Sequence, residues 1–325
     1  MNRINFREIA RELNLSHTTV YRVINNAQCV SGATRARVID ALNRHGCYRD
    51  TRIKPQTILL DFDKNAASSY MRGLLNLLRR RLAGNPFRWI ETTHKTGQAK
   101  FLLDCRDAQI AVFAPMADRK IYTQAKEINP DLFILNLLDD TVGDIAIATD
   151  DFQGGQLAAR RLYECGHRTH LAVTVPAPED GPQHSFCNRA KGFLAEMMFL
   201  APDCRIDRWE VPLRRTQDSL PQRLNRKRRP SAVFATGIHF AKKVRAACIA
   251  AGIRIPEDIS LLGFDKPDST EPPCDSIVFN PEQIVSWAEF FIMNRPVIKN
   301  GAPVHLLLDM KLETHGSVKH LNPMQ

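Results

Sequence analysis

Residues 5–25, NFREIARELNLSHTTVYRVIN, decide how the rest of the chain is read. Asn5 is a good helix cap, and Phe6, Ile9, Ala10 and Leu13 follow at the spacing of one helical face, predicting a helix over 6–13. Asn14 tolerates the left-handed backbone that a tight turn needs. Ser16 then caps a second helix over about 17–24, with Val20, Val23 and Ile24 as its buried stripe. Ser31 caps a third, whose Val38, Ile39 and Leu42 face inward before Gly46 ends it. Two short helices joined by a turn and braced by a third form a helix-turn-helix unit.

In that motif the second helix lies in the DNA major groove and offers its leading residues to base edges. His17 and Thr18 occupy those positions. Arg22 follows one turn later with a guanidinium suited to guanine O6 and N7. Ser16, Thr19 and Asn25 are short groups that fix register on phosphates. The bland alternative is an ordinary capped helix with solvated Ser and Thr. Charge speaks against it: residues 1–54 hold ten Lys and Arg against four acids, six of the chain's net +10 in a sixth of its length. Such concentration is the footprint of a polyanion binder.

From Thr57 onward the pattern changes. TILLDFD, FRWIETT, AQIAVFA, DLFILNL, IAIATD, HLAVTV, SAVFATG and ISLLGFD are short apolar runs, most followed by helix-period sequence. Buried strands alternating with crossover helices predict parallel sheets in an α/β architecture. About 260 residues exceed one comfortable core, so two lobes are expected. The predicted fold is thus a small all-α headpiece followed by a two-lobed α/β domain with parallel sheets.

Other classes find little support. No P-loop, G-x-G-x-x-G or G-x-S-x-G is present, so the chain is read as no enzyme and no cofactor is expected. The eight cysteines form no C-x-x-C pair and read as reduced small hydrophobes, with no metal site. The charged N-terminus and the lack of a spanning apolar run predict a cytoplasmic location away from membranes. The basic run RLNRKRRP (223–230) falls at a helix-to-strand loop and reads as solvated surface, and the three Trp as core or interface.

The matching residues also carry a family resemblance. FREIARELNLSHTTVYRVIN and VSGATRARVIDALNRHGCY resemble the DNA-binding headpiece of the LacI/GalR family of bacterial repressors, through Ile9-Ala10, Leu15-Ser16, Thr19-Val20 and Arg22-Val23-Ile24-Asn25. Asn14 replaces the usual turn glycine. Tyr21 replaces a small polar residue that usually touches phosphate, so its ring either stacks on sugar or blocks a contact. The family's alanine-rich hinge helix has no counterpart: Arg49 to Gln56 lacks a leucine and contains Pro55, which disfavours helix. The minor-groove kink is therefore not expected. Arg49 and Arg52 are read as phosphate contacts or, equally, as part of a solvated basic tether.

TDDFQGGQLAARRLYECGHRTHLAV (149–173), NRAKGF (188–193) and AACIAAGIRIPEDISLLGFD (246–265) resemble the family's second lobe. The resemblance implies a periplasmic-binding-protein-like pair of lobes that closes on a small molecule in the cleft between them. It makes Arg189, in the family's R-x-x-G-F pattern, an effector ligand; a surface ion pair is the alternative. Ser68, Ser69 and Tyr70 follow the first strand, where a lobe-one loop contributes, although Ser68 also suits a helix cap. The family's Asn-Asp pair after AVFAT reads Gly237-Ile238-His239 here. Loss of that carboxylate points to an effector that is anionic or less polar than a sugar, or to lost control, with His239 a partial substitute.

The expected organisation is a DNA-binding domain at 1–48, a short linker at 49–56 and an effector-binding and dimerisation domain at 57–325. The expected function is a sequence-specific transcription regulator, a repressor of a carbohydrate-type operon, acting as a homodimer or tetramer on a near-palindromic duplex operator under small-molecule control. The alternatives are a DNA-binding regulator without an effector and an α/β enzyme.

Overall fold

The computed structural model describes residues 6–24, 30–45, 55–62, 69–114, 119–139, 142–174, 185–210, 220, 224, 229–266, 272–298 and 303–321. Asn5, Asn25, Gly46, Ser68 and linker residues 49–54, with Arg49 and Arg52, lie outside them; Gln56, expected in the linker, begins the first strand. The chain folds as two compact units. One holds residues 1–148 and 281–306, the other 149–280 and 307–325, so the chain passes between them three times.

The first unit begins with three helices: α1 (Phe6–Glu12), α2 (His17–Ile24) and α3 (Gly32–Arg44). Asn14 turns the chain between α1 and α2 with a φ of 55°, the left-handed conformation expected of it. The Ser16 hydroxyl accepts the Thr19 amide at 3.0 Å and the Ser31 hydroxyl accepts that of Thr34 at 3.3 Å, so both predicted caps form. Ile9, Leu13, Val20, Val23, Ile24, Val38, Ile39 and Leu42 make one core. Arg37 donates to the Leu13 carbonyl at 2.8 Å, satisfying the frayed end of α1.

The rest of this unit is a sheet in the order β2-β1-β3-β4-β5-β11. Its strands are β1 (Gln56–Asp61), β2 (Phe87–Thr92), β3 (Ile110–Phe113), β4 (Phe133–Leu137), β5 (Ile145–Thr149) and β11 (Val304–Leu308). The first five are parallel, and the residues of β1, β3 and β4 are almost all buried, which is why their sequences are continuous apolar runs. Helices α4 (Ser69–Arg81), α5 (His94–Cys105), α6 (Arg119–Ile128) and α10 (Pro281–Ile298) belong to it.

The second unit repeats the plan with a sheet ordered β7-β6-β8-β9-β10-β12. It comprises β6 (Thr169–Thr174), β7 (Arg205–Glu210), β8 (Ala232–Ala235), β9 (Ser260–Phe264), β10 (Asp275–Val278) and β12 (Lys311–Glu313), with only β12 antiparallel to its neighbour. The sequence reading finds β1–β6, β8 and β9 and misses the other four strands. β7, β11 and β12 lie at sheet edges and carry charged or exposed residues. β10 is four residues long and starts with buried Asp275, whose Oδ1 accepts the amides of His315 and Ser317 at 2.8 and 3.0 Å.

Helices α7 (Asp151–Glu164), α8 (Ser185–Leu200) and α9 (Ile238–Ala250) complete this unit. α7 and α8 approach closely enough that only glycine fits at the crossing. A Cβ on Gly155 would lie 2.0 Å from the Arg189 carbonyl, and one on Gly192 would lie 2.0 Å from that of Phe152. After α7, His167 is fully buried: its Nε2 donates to the Lys319 carbonyl at 3.1 Å, and Nδ1 lies 3.0 Å from the Ser231 hydroxyl.

Two expectations follow. Gly155→Ala wedges α7 from α8 and costs about 1–3 kcal/mol or more of unit stability, measured by denaturant unfolding. Burial holds the His167 imidazole down to about 4, whereas the unfolded side chain protonates near pH 6.5. The unfolded state therefore binds the extra proton in between, and stability falls as pH drops from about 6.5 toward 4, by about 3 kcal/mol in all. Unfolding curves at about pH 7 and about pH 4.5 measure that loss; His167→Gln should remove it.

Candidate functional site

On α2 the division of labour is sharp. Val20, Val23 and Ile24 are buried, while His17, Thr18, Tyr21 and Arg22 are exposed on the side turned away from that core. The two sets follow from helical period alone. Ser16 and Thr19 are engaged with each other, hydroxyl to hydroxyl at 2.8 Å, as well as through the cap. The aromatic rings of His17 and Tyr21, one turn apart, stack at 6.4 Å between centroids with 23° between planes. This surface carries the predicted base-reading side chains and no apolar residue except Tyr21.

The second unit gathers a different cluster at the carboxyl ends of β8 and β9 and the first turns of α7, α8 and α9. Arg189 is 7% exposed. Its Nε donates to Asp151 Oδ1 at 2.8 Å, and its Nη1 to the Thr236 carbonyl at 3.0 Å and to Asp265 Oδ2 at 3.3 Å. Nη2 has no partner among the described residues. The guanidinium lies 3.7 Å from the centroid of the Phe264 ring and 5.3 Å from that of Phe186. Burial works against the Arg189 charge, but Asp151 and Asp265 outweigh it and hold its pKa above the ordinary arginine value. Burial raises the Asp265 carboxyl; Arg189 opposes the shift and Asp151 adds to it. With two carboxylates to one guanidinium, the ionised cluster is anionic overall.

His239 stands exposed at the start of α9, close enough to Asp265 to pull its pKa down. Gly237, where the family resemblance led to an expected asparagine, has no room for a side chain: a Cβ would sit 2.5 Å from the Phe186 ring. The carboxylate that sequence reading found missing has no counterpart at 237–239; the carboxylates near this position are Asp151 and Asp265, both bonded to Arg189. Asp265 closes a predicted strand, and that position at a carboxyl end was the available signal. Asp151 had none, because only the helix crossing brings it to Arg189.

The first unit has its own polar row at the carboxyl ends of its strands. Asp61, at the end of β1, accepts the His94 backbone amide at 2.8 Å and makes a short contact with His94 Nδ1. The His94 ring meets Phe101 and Phe113 edge-on. Asp61 pairs in register with Phe113, and Phe113 with Asn136. Asn136 is fully buried with neither amide atom hydrogen-bonded. Ser69 and Tyr70 begin α4, and their side chains lie outside the described residues. None of Asp61, His94 and Asn136 was singled out from sequence, although an acid and an amide inside apolar runs were visible.

Family models place residues 5–50 in the lacI family of bacterial regulatory proteins and residues 159–293 in a periplasmic binding protein-like domain. The chain is 22% identical to the HTH-type transcriptional repressor PurR of Escherichia coli O139:H28, over 96% of each. Its fold matches a LacI family transcriptional regulator from Enterococcus faecium with bound ribose (TM-score 0.67, 20% identity, 82% of this chain and 100% of that one). It also matches the lac repressor dimer bound to operator and the anti-inducer ONPF (TM-score 0.62, 16% identity, 98% and 100%).

Breaking the buried network should be costly. Arg189→Gln leaves Asp151 and Asp265 facing each other uncompensated, with an expected loss of about 3–5 kcal/mol in denaturant unfolding. Adding Asp265→Asn should recover part of it.

Proposed function

From the premise that this chain is a LacI-family regulator, joining a helix-turn-helix headpiece to a periplasmic-binding-protein-like domain, we propose how it reads DNA and what controls it. It is a DNA-binding transcription regulator under small-molecule control, and not an enzyme. Among the described residues no helix is long and apolar enough to cross a membrane; its place of action is the bacterial cytoplasm, with the DNA.

The observation that carries the DNA reading is the exposed edge of α2. His17, Thr18 and Arg22 read bases there, the arginine by a bidentate contact to guanine. Ser16, Thr19 and Asn25, with Arg49 and Arg52 beyond the headpiece, hold the phosphates. The unit is too small to bind tightly alone, so two copies act as a homodimer on a near-palindromic operator as a repressor, with a tetramer as the higher assembly.

The effector binds at the carboxyl ends of the sheet strands, the usual place for ligands of this architecture. Arg189 is already neutralised twice over, which speaks against an anion. Its remaining Nη2 wants an acceptor and the Asp265 carboxylate wants a donor; a hydroxyl is both. A polyhydroxylated molecule of the carbohydrate class satisfies that pair, with His239 beside it. A second reading, a regulator with no effector, draws on the same fact: the arginine is balanced by the protein's own carboxylates.

Selection from a random duplex pool by the full chain tests the DNA reading and should enrich one near-palindromic sequence. Thermal-shift measurement with ribose, cellobiose and a wider polyol panel divides the two effector readings, since no shift with any supports the second. On the selected operator, Arg22→Ala should cost about 1–3 kcal/mol and relax one base-pair position, and affinity should fall steeply with salt. An equal loss on every sequence would contradict base reading.

A further inference from the structure

The exposed face of α2 holds one feature that the regulator reading does not use. His17 and Tyr21 stand four residues apart, so their side chains lie over one another on the same strip of helix. Their rings are nearly parallel, 23° apart, with centroids 6.4 Å from each other, an offset stack within the range aromatic pairs adopt. Tyr21 remains 56% exposed. The strip flanks Thr18 and Arg22, which point out from the middle of the exposed face.

We propose that Tyr21 is a positioning residue for base recognition: its ring holds the His17 imidazole at one orientation, so that the base preference His17 exerts depends on Tyr21. The proposal rests on α2 being the reading helix. On an exposed helix a lone histidine turns among rotamers, and each points the ring nitrogens at a different place. Reading a base edge needs a donor or acceptor at a fixed site, and ordering a side chain only on binding costs affinity. A ring packed against one face of the imidazole removes part of that freedom beforehand. It does so without a hydrogen bond to either imidazole nitrogen, since the contact is an offset stack of rings. The Ser16–Thr19 pair does the same for the backbone beneath, fixing the first turn from which His17 projects. Tyr21 thus has a role different from the phosphate contact its position suggested. The stacked geometry favours it, because the ring is turned along the helix toward His17.

Binding-site selection with full-length protein tests this, comparing wild type with His17→Ala, Tyr21→Ser and Tyr21→Phe. The expected result is that His17→Ala flattens one operator column and Tyr21→Ser flattens the same column, while Tyr21→Phe, which keeps the ring and loses the hydroxyl, preserves it. The double variant His17→Ala/Tyr21→Ser should lose no more at that column than either alone. Tyr21→Ser that weakens binding equally on all sequences, with every column intact, overturns the proposal in favour of a backbone contact. So does Tyr21→Phe behaving like Tyr21→Ser, which would assign the effect to the hydroxyl. If the wild type itself enriches no sequence, the regulator reading falls and this proposal with it; an intact wild-type pattern with an unchanged Tyr21→Ser pattern overturns the proposal alone.

Discussion

Two missing side chains hold the second unit's chemistry together. At the crossing of α7 and α8 the backbones touch at Gly155 and Gly192, with no space for a methyl group. That approach lets Asp151, in the first turn of α7, reach Arg189, in the second turn of α8, at 2.8 Å. Any larger residue at the crossing would push the helices apart by more than a hydrogen bond tolerates. The arginine's place, its partners and the electrostatics at the carboxyl ends of β8 and β9 all follow from this contact.

The resulting network also fixes what can approach it. A buried guanidinium without a carboxylate would attract anions; one held between two carboxylates does not. The aromatic faces of Phe264 and Phe186 cover the flat sides of the cation and leave only an edge for further hydrogen bonds. The shape of Phe186 is in turn permitted by Gly237, so the residue that replaced an expected polar pair is part of the same construction. The cluster's carboxylates thus lie at the start of α7 and the end of β9.

The headpiece works on a simpler principle. Its helices are stabilised by a shared core and by caps that lie on the edges of α2, leaving the outward strip free of structural duty. Side chains on that strip can change at little cost to the core of the unit. On that strip the rings of His17 and Tyr21 are stacked on each other.

Local pattern was enough for much of this. Helical period and caps located α1, α2 and α3, the left-handed turn at Asn14 and the exposed edge of α2, because these depend on residues within a turn or two of one another. Continuous apolar runs located the eight strands other than β7, β10, β11 and β12, since burial on both faces leaves a mark on composition. β7, β11 and β12, at sheet edges and with charged or exposed residues, left none, whereas the edge strand β2 kept a recognisable apolar run. What only the tertiary structure decided is which distant side chains meet. Asp151, Arg189 and Asp265 are 38 and 76 residues apart in sequence along the bonds that join them to Arg189, and Asp61 meets His94 across 33. Such pairings are set by helix crossings and strand order, where the packing of whole elements rather than any local preference determines the distance.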